Sequence, residues 1–334
     1  MPSSERGLAV VLALPVVAAL GWASPARAQT LAEGFRTERL YQSAPGAGWF
    51  VMDTLDMHGG LGGAVALTLG YAHDPLRVQT TGGAQHLTVV SAQAFAGVGL
   101  AATYDRFRLY LDFDVPFLGL GDSGTVGAYS FRSPCTPSSD GCTPDVTLSN
   151  NPDLLSDARI GFDARLVGDA TSAFRLGAGA QLYVPNGERA QYVTDGSYRA
   201  MGRVLAAGDA GPWTYAAQLG VHVRPLDDAP APGSPRGSEL LFGVAGGARL
   251  FVSESHDTAL VAGPEIFGAT AFRSFLGGDA TAVEGMMTAR VEGTRDDAPQ
   301  LRLKLGVGAG LDARFGAPEW RAAVSVELFD HANR

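Results

Sequence analysis

Ser123 lies in Gly121-Asp122-Ser123-Gly124, a setting that would suit a nucleophile raised on a tight turn. A serine nucleophile needs a base and an orienting acid placed by the fold. No histidine motif accompanies this one, so a glycine-rich loop tip explains it equally well. The six histidines, His58, His73, His86, His222, His256 and His331, are dispersed, without the HExxH or His-x-His spacing that gathers zinc ligands. Gly306-Val307-Gly308-Ala309-Gly310 has the glycine density of a dinucleotide loop, but no helix follows to receive a pyrophosphate. These readings predict no catalytic site, no metal and no cofactor. Cys135 and Cys142, set among Pro, Ser, Asp and Gly, read as a disulfide closing a surface loop, with two free thiols as the alternative.

The remaining candidates are charged: Arg159, Asp163, Arg165, Arg175, Arg199, Arg203, Arg224, Glu265, Glu284, Arg290, Arg302 and Lys304. Each sits opposite in parity to apolar neighbours. In an enclosed interior such groups either line a solute path and set its ion selectivity, or pair with one another and close it. Their mixed signs favour the closed arrangement.

The elements that must position them are strands. Phe107, Leu109, Leu111, Phe113 and Val115 alternate with Arg108, Tyr110, Asp112 and Asp114. Successive side chains of a strand point to opposite faces, so one face of this segment is apolar and the other polar. The pattern recurs over 159–166, 174–183, 213–224, 301–312 and 319–328, and more weakly over 61–72, 85–100, 197–208, 238–250, 258–270 and 280–292. Soluble sheets use strands of about 5–6 residues, whereas a tilted membrane-spanning strand needs roughly 9–11. Connections alternate between short, at 103–105, 168–171 and 208–211, and long, at 118–154, 185–196 and 225–237, as transmembrane barrels require. The prediction is an all-β fold, a closed antiparallel transmembrane β-barrel of about twelve strands, with about fourteen as the alternative. On this parity Leu111→Arg blocks membrane insertion while Arg108→Ala is mild.

Composition and the amino terminus fit an exported chain. Glycine contributes 44 of 334 residues and charged residues 18%, against about 25% in ordinary soluble domains. Glycines on the polar parity, including Gly177, Gly179, Gly243, Gly306, Gly308 and Gly310, leave room for bulky charges. A net charge of -9 disfavours nucleic acid as a partner. Arg6, the apolar run 8–20 and Ala26-Arg27-Ala28 form a signal peptide over 1–28, implying Sec-type export. Residues 29–48 have no clear pattern and are assigned as a periplasmic lead or a lumenal plug. The barrel is assigned to 49–334, although 49–57 alternates only briefly.

Five short stretches, taken in order, resemble the barrel region of the OmpA-family outer membrane proteins of myxobacteria. They are Tyr71-Ala72-His73-Asp74-Pro75-Leu76, Ser156-Asp157-Ala158-Arg159-Ile160-Gly161-Phe162-Asp163-Ala164-Arg165-Leu166, Val184-Pro185-Asn186-Gly187-Glu188, Gly237-Ser238-Glu239-Leu240-Leu241-Phe242-Gly243 and Phe315-Gly316-Ala317-Pro318-Glu319-Trp320-Arg321. The resemblance runs from about residue 48 onward. Such proteins typically carry a C-terminal peptidoglycan-binding domain; none follows the last strand here, so cell-wall tethering is not carried over. The implied protein is a non-enzymatic outer membrane barrel with a structural or surface-exposed role, in contact with outer membrane lipid and lipopolysaccharide. A porin or small-solute transporter is the alternative.

Overall fold

The computed structural model describes residues 30–32, 34–80, 82–134, 155–226, 237–253, 258–278, 280–293, 299–312 and 317–330. Residues 1–28, read as a signal peptide, and Cys135 and Cys142, read as a disulfide, lie outside the described residues. In chain order the strands are β1 (Thr30–Leu31), β2 (Leu61–Gln79), β3 (His86–Tyr104), β4 (Phe107–Leu120), β5 (Gly124–Val126), β6 (Tyr129–Phe131), β7 (Ala158–Val167) and β8 (Arg175–Val184). They continue with β9 (Arg199–Ala210), β10 (Trp213–Val223), β11 (Glu239–Val252), β12 (Thr258–Ala271), β13 (Thr281–Gly293), β14 (Gln300–Asp312) and β15 (Trp320–Asp330).

Twelve of these form a closed antiparallel barrel, each paired with its neighbours in sequence order once β5 and β6 are set aside. The ring closes where β15 pairs with β2, from Trp320 opposite His73 to Asp330 opposite Gly63. Closure leaves no unpaired edge around the wall. At one end of the barrel lie the start of β2, the end of β15 and the tight turns. Gly211, at φ 64°, opens the two-residue turn before Pro212, and Asp105, at φ 56°, opens the turn between β3 and β4. Glycine reaches that positive φ without steric cost. The longer connections begin and end at the opposite end, after Leu120 and before Ala158, and after Val223 and before Glu239.

Period-2 alternation dictates which side chains face out. Leu109, Leu111, Val204, Leu219, Val244, Leu305 and Val307 are exposed on the barrel exterior, Val307 at 63%. Arg108, Asp163, Arg203, Glu265 and Lys304, on the other parity, are buried within. This inverts the arrangement of a soluble protein and suits a wall solvated by hydrocarbon. Rim aromatics reinforce it: Tyr71 lies 5.0 Å from Trp320 at the long-connection end, and Phe107 stacks on Phe162 at 5.9 Å toward the other. Among the described residues no helix is long and apolar enough to cross a membrane.

The twelve barrel strands begin at Leu61, as counted from 61 onward in the sequence; residues 49–57, included in the barrel assignment 49–334, form no barrel strand and make one bridge, Gly48 to Asp53. Their brief alternation belongs to a turn inside the barrel. The interior is also partly apolar. Trp49, Phe50, Val51, Met52, Leu55 and Met57 pack with Phe95, Leu205, Val261, Phe267 and Met286 in an apolar core inside the ring.

Candidate functional site

The lumen is occupied by the chain's own residues 34–57, nearly all of them buried. An eight-stranded barrel has an interior that side chains just fill, while 16–18 strands leave an aqueous channel. Twelve strands fall between, leaving a space that inward side chains alone do not fill and one further length of chain does.

Polar contacts fix this segment at each level. At the long-connection end the Arg36 amide donates to Asp195 Oδ1 at 3.0 Å and its guanidinium pairs with Asp114 at 3.2 Å. Glu38 accepts from Arg321 at 2.8 Å, and Arg39 donates to Glu239 at 2.6 Å. The Tyr41 hydroxyl also donates to Glu239, at 3.1 Å. Burial works against ionising Asp195, but Arg224 and Arg199 outweigh it and hold the carboxyl well below the usual carboxylate range.

At mid-depth Glu265 accepts three consecutive amides, those of Phe50 and Val51 at 2.9 Å each and Met52 at 3.2 Å, and the Thr288 hydroxyl at 2.6 Å. A carboxylate seated in successive backbone N–H groups is a charge-assisted nest, stronger than neutral hydrogen bonds. Beside it Lys304 donates to the Trp49 carbonyl at 3.2 Å and to Glu327 at 2.6 Å, while Arg302 donates to the Gly46 carbonyl at 3.0 Å. Arg290 lies over the Trp49 ring at 4.7 Å. Toward the tight-turn end Asp53 accepts from Arg108 at 2.6 Å, and Arg165 donates to the carbonyls of Leu55 and Met57.

All twelve charged residues singled out from the sequence are buried in the interior. Arg159, Arg165, Glu265, Arg302 and Lys304 bond the lumen segment directly; Arg159 does so through the Gln42 carbonyl. Glu284 acts through Arg321, which also holds Glu38. Arg224 acts through Glu239 and Asp195. Arg203 and Asp163 pair with each other at 2.8 Å, Arg199 pairs with Asp157, and Arg175 pairs with Asp209 at 2.7 Å near the tight-turn end. Sequence reasoning missed the other half of these pairs: Arg36, Glu38, Arg39, Tyr41 and Asp53 on the segment, and Asp195 and Glu239 on the wall and connections; Arg108, Asp114 and Arg321 it placed on the polar face without a partner.

One sequence signal pointed to the segment. Glycine inside a strand often marks close approach by another backbone or group, and the inner wall is studded with it. A Cβ on Gly306 would lie 2.8 Å from the Phe50 ring, one on Gly243 2.2 Å from Met52 Cε, one on Gly247 2.6 Å from Trp49, and one on Gly99 2.7 Å from Pro45. These glycines seat the lumen segment, whereas the sequence reading had Gly243 and Gly306 making room for charges. Gly179 does serve that end, lying against the Asp163 carboxylate. Gly306→Val therefore leaves β14 paired but drives Phe50 out of its seat, at the roughly 1–3 kcal/mol of an overpacked core. The expected readout is trypsin cleavage after Arg36 or Arg39 in detergent at a concentration the parent resists; unchanged resistance would contradict the seating.

Among the described residues, voids of about 20, 20 and 10 Å³ lie between segment and wall, each room for about one water. The charges that meet along the segment are of both signs. Ser123 bonds with Ser133, whose amide donates to its hydroxyl oxygen at 2.9 Å. His222 is buried against Glu239 at 3.0 Å. At the long-connection rim His73, Asp74 and Glu319 bring their ligand atoms within 4.8 Å of one another, and Arg77 lies 3.7 Å from Glu319. Sequence spacing hid this cluster because β15 and β2 meet only on closure.

No known family profile matches the chain, and no curated protein matches it. Among solved structures, the COG4313 outer membrane channel of Pseudomonas putida F1 is 15% identical over 81% of this chain and 96% of its own, with a TM-score of 0.48. The NanC porin is 7% identical over 79% and 98%, with a TM-score of 0.42. The β domain of the Bordetella autotransporter BrkA is 12% identical over 80% and 98%, with a TM-score of 0.39. These are likenesses of barrel form and assign no cargo or activity.

Proposed function

We propose that this chain is a non-enzymatic barrel of the bacterial outer membrane, reached by Sec-type export, whose lumen is sealed and whose role is structural or surface-exposed. The observation that carries the reading is the filled interior: segment 34–57 occupies the lumen and its charged groups are answered by the wall. The exposed apolar exterior supports the membrane placement, with lipid and lipopolysaccharide as its surroundings. The tight turns then face the periplasm and the long connections face outward, as in barrels of this class. The order of short stretches shared with myxobacterial OmpA-family barrels fits the same role. Purified chain reconstituted in planar bilayers is expected to give no discrete conductance steps. Regular openings from the intact chain would replace this reading with the porin alternative. One observation favours that alternative in a gated form: the block is a single segment that takes no part in the strand pairing of the ring, so the ring does not depend on it for closure.

A further inference from the structure

The lumen segment joins the barrel wall at one end of the barrel and leaves the lumen at the other. On its carboxyl side it passes through Gly59 and Gly60 into β2 at the tight-turn end, where the Gly60 carbonyl accepts from the Asp105 amide at 2.9 Å. On its amino side it emerges among the long connections. There β1 lies parallel to β6, with Thr30 opposite Tyr129 and Leu31 opposite Ser130. The Thr30 amide donates to the Ala128 carbonyl at 3.0 Å and the Ala32 amide to the Ser130 carbonyl at 2.8 Å. Just beneath, Ala32 and Phe35 pack with Leu76, Val89, Val90, Val126, Phe131 and Tyr192 in an apolar cap across that mouth. Thr30 and Leu31 themselves are exposed.

From this threading we propose that the barrel conducts its own amino-terminal end through the lumen and presents it on the outer face of the cell. The inference rests on the orientation in the functional reading, with long connections outward. The route is set by geometry at both ends. A segment merely tucked in from the periplasm would have its free end near its tether, whereas here Thr30 pairs with a hairpin of the 121–157 connection and Gly60 touches the turn at Asp105. Two different anchors, a strand pairing and an apolar cluster, hold the amino-terminal end at the far mouth. Among the described residues β1 is an edge strand of the three-stranded sheet β1-β6-β5.

The test uses single cysteines in a Cys135→Ser/Cys142→Ser background and a membrane-impermeant maleimide on intact and lysed cells. Leu276→Cys, in the exposed stretch 272–276, reports orientation; Asp105→Cys reports the tight-turn end; Thr30→Cys reports the amino-terminal end. Labelling of Thr30→Cys and Leu276→Cys as strong on intact as on lysed cells, with Asp105→Cys labelled only after lysis, supports the proposal. Thr30→Cys labelled only after lysis, with Leu276→Cys still accessible, overturns the threading and leaves the orientation standing. Leu276→Cys accessible only after lysis overturns the orientation itself, and this proposal with it. An epitope placed between Gln29 and Thr30 with the native cysteines retained gives a second readout: antibody binding to intact cells supports display, and binding confined to lysed cells overturns it.

Discussion

Deleting residues 34–57, joining residue 33 to His58, is expected to turn a silent barrel into one with discrete conductance steps. The wall can survive the loss because its charges largely pair among themselves. Arg203 with Asp163, Arg302 and Lys304 with Glu327, and Arg321 with Glu284 all remain. Glu265 loses three amide donors, but water entering the emptied lumen solvates it, so the heavy penalty of an unpaired charge in a dry interior does not apply. The apolar inward residues Leu205, Val261 and Phe267 lose their cover, so lower thermal stability should accompany the conductance. Bilayer recordings of parent and deletion, both shown folded by heat-modifiable gel mobility, decide the matter. A folded but silent deletion variant would mean that the inward arginines close the lumen without help.

The second large effect contrasts two residues three apart on β4. Leu111 faces outward at mid-barrel, and an arginine there costs roughly 2–4 kcal/mol at the bilayer midplane, so Leu111→Arg should fail to insert stably. Alternation alone makes Arg108→Ala mild, because a lumen charge is taken to meet water. The structure reverses that expectation. Arg108 is fully buried, 2.6 Å from Asp53, which is equally buried. Removing one partner of such a pair typically costs about 3–5 kcal/mol because the other charge is left uncompensated. The two variants differ in symptom: Leu111→Arg loses membrane recovery, while Arg108→Ala inserts but loosens the segment, read as earlier thermal unfolding and intermittent conductance. Parent-like stability for Arg108→Ala would show that water reaches Asp53.

What was legible in the sequence followed from one physical rule, that strand side chains alternate. It placed nine strands within two residues of their observed ends, while β2, β3 and β4 run on to Gln79, Tyr104 and Leu120, past the 72, 100 and 115 where the alternation was read to stop. It also placed Arg159, Glu265, Arg302 and Lys304 on the inner face. Parity fixes the face but not the partner, which depends on register and on closure of the ring. Hence the Glu38–Arg321–Glu284 cluster, joining residues hundreds of positions apart, left no local trace. The lumen segment was legible only in part: residues 29–48 read as a periplasmic lead or a lumenal plug, and the brief alternation of 49–57 read as barrel. Residues 34–57 form no barrel strand, so no sustained period marks them. Their shape is written on the opposite wall, in glycines such as Gly306 and Gly243 whose meaning depends on knowing what they face.

Lys304 is the only lysine in the sequence, and its Nζ is enclosed between the Trp49 carbonyl and Glu327. A folded molecule therefore offers an amine-reactive dye its α-amino group and little else. Each molecule that loses its seal gains one more reactive nitrogen, so dye stoichiometry counts opened barrels in a mixed population directly, without any engineered label.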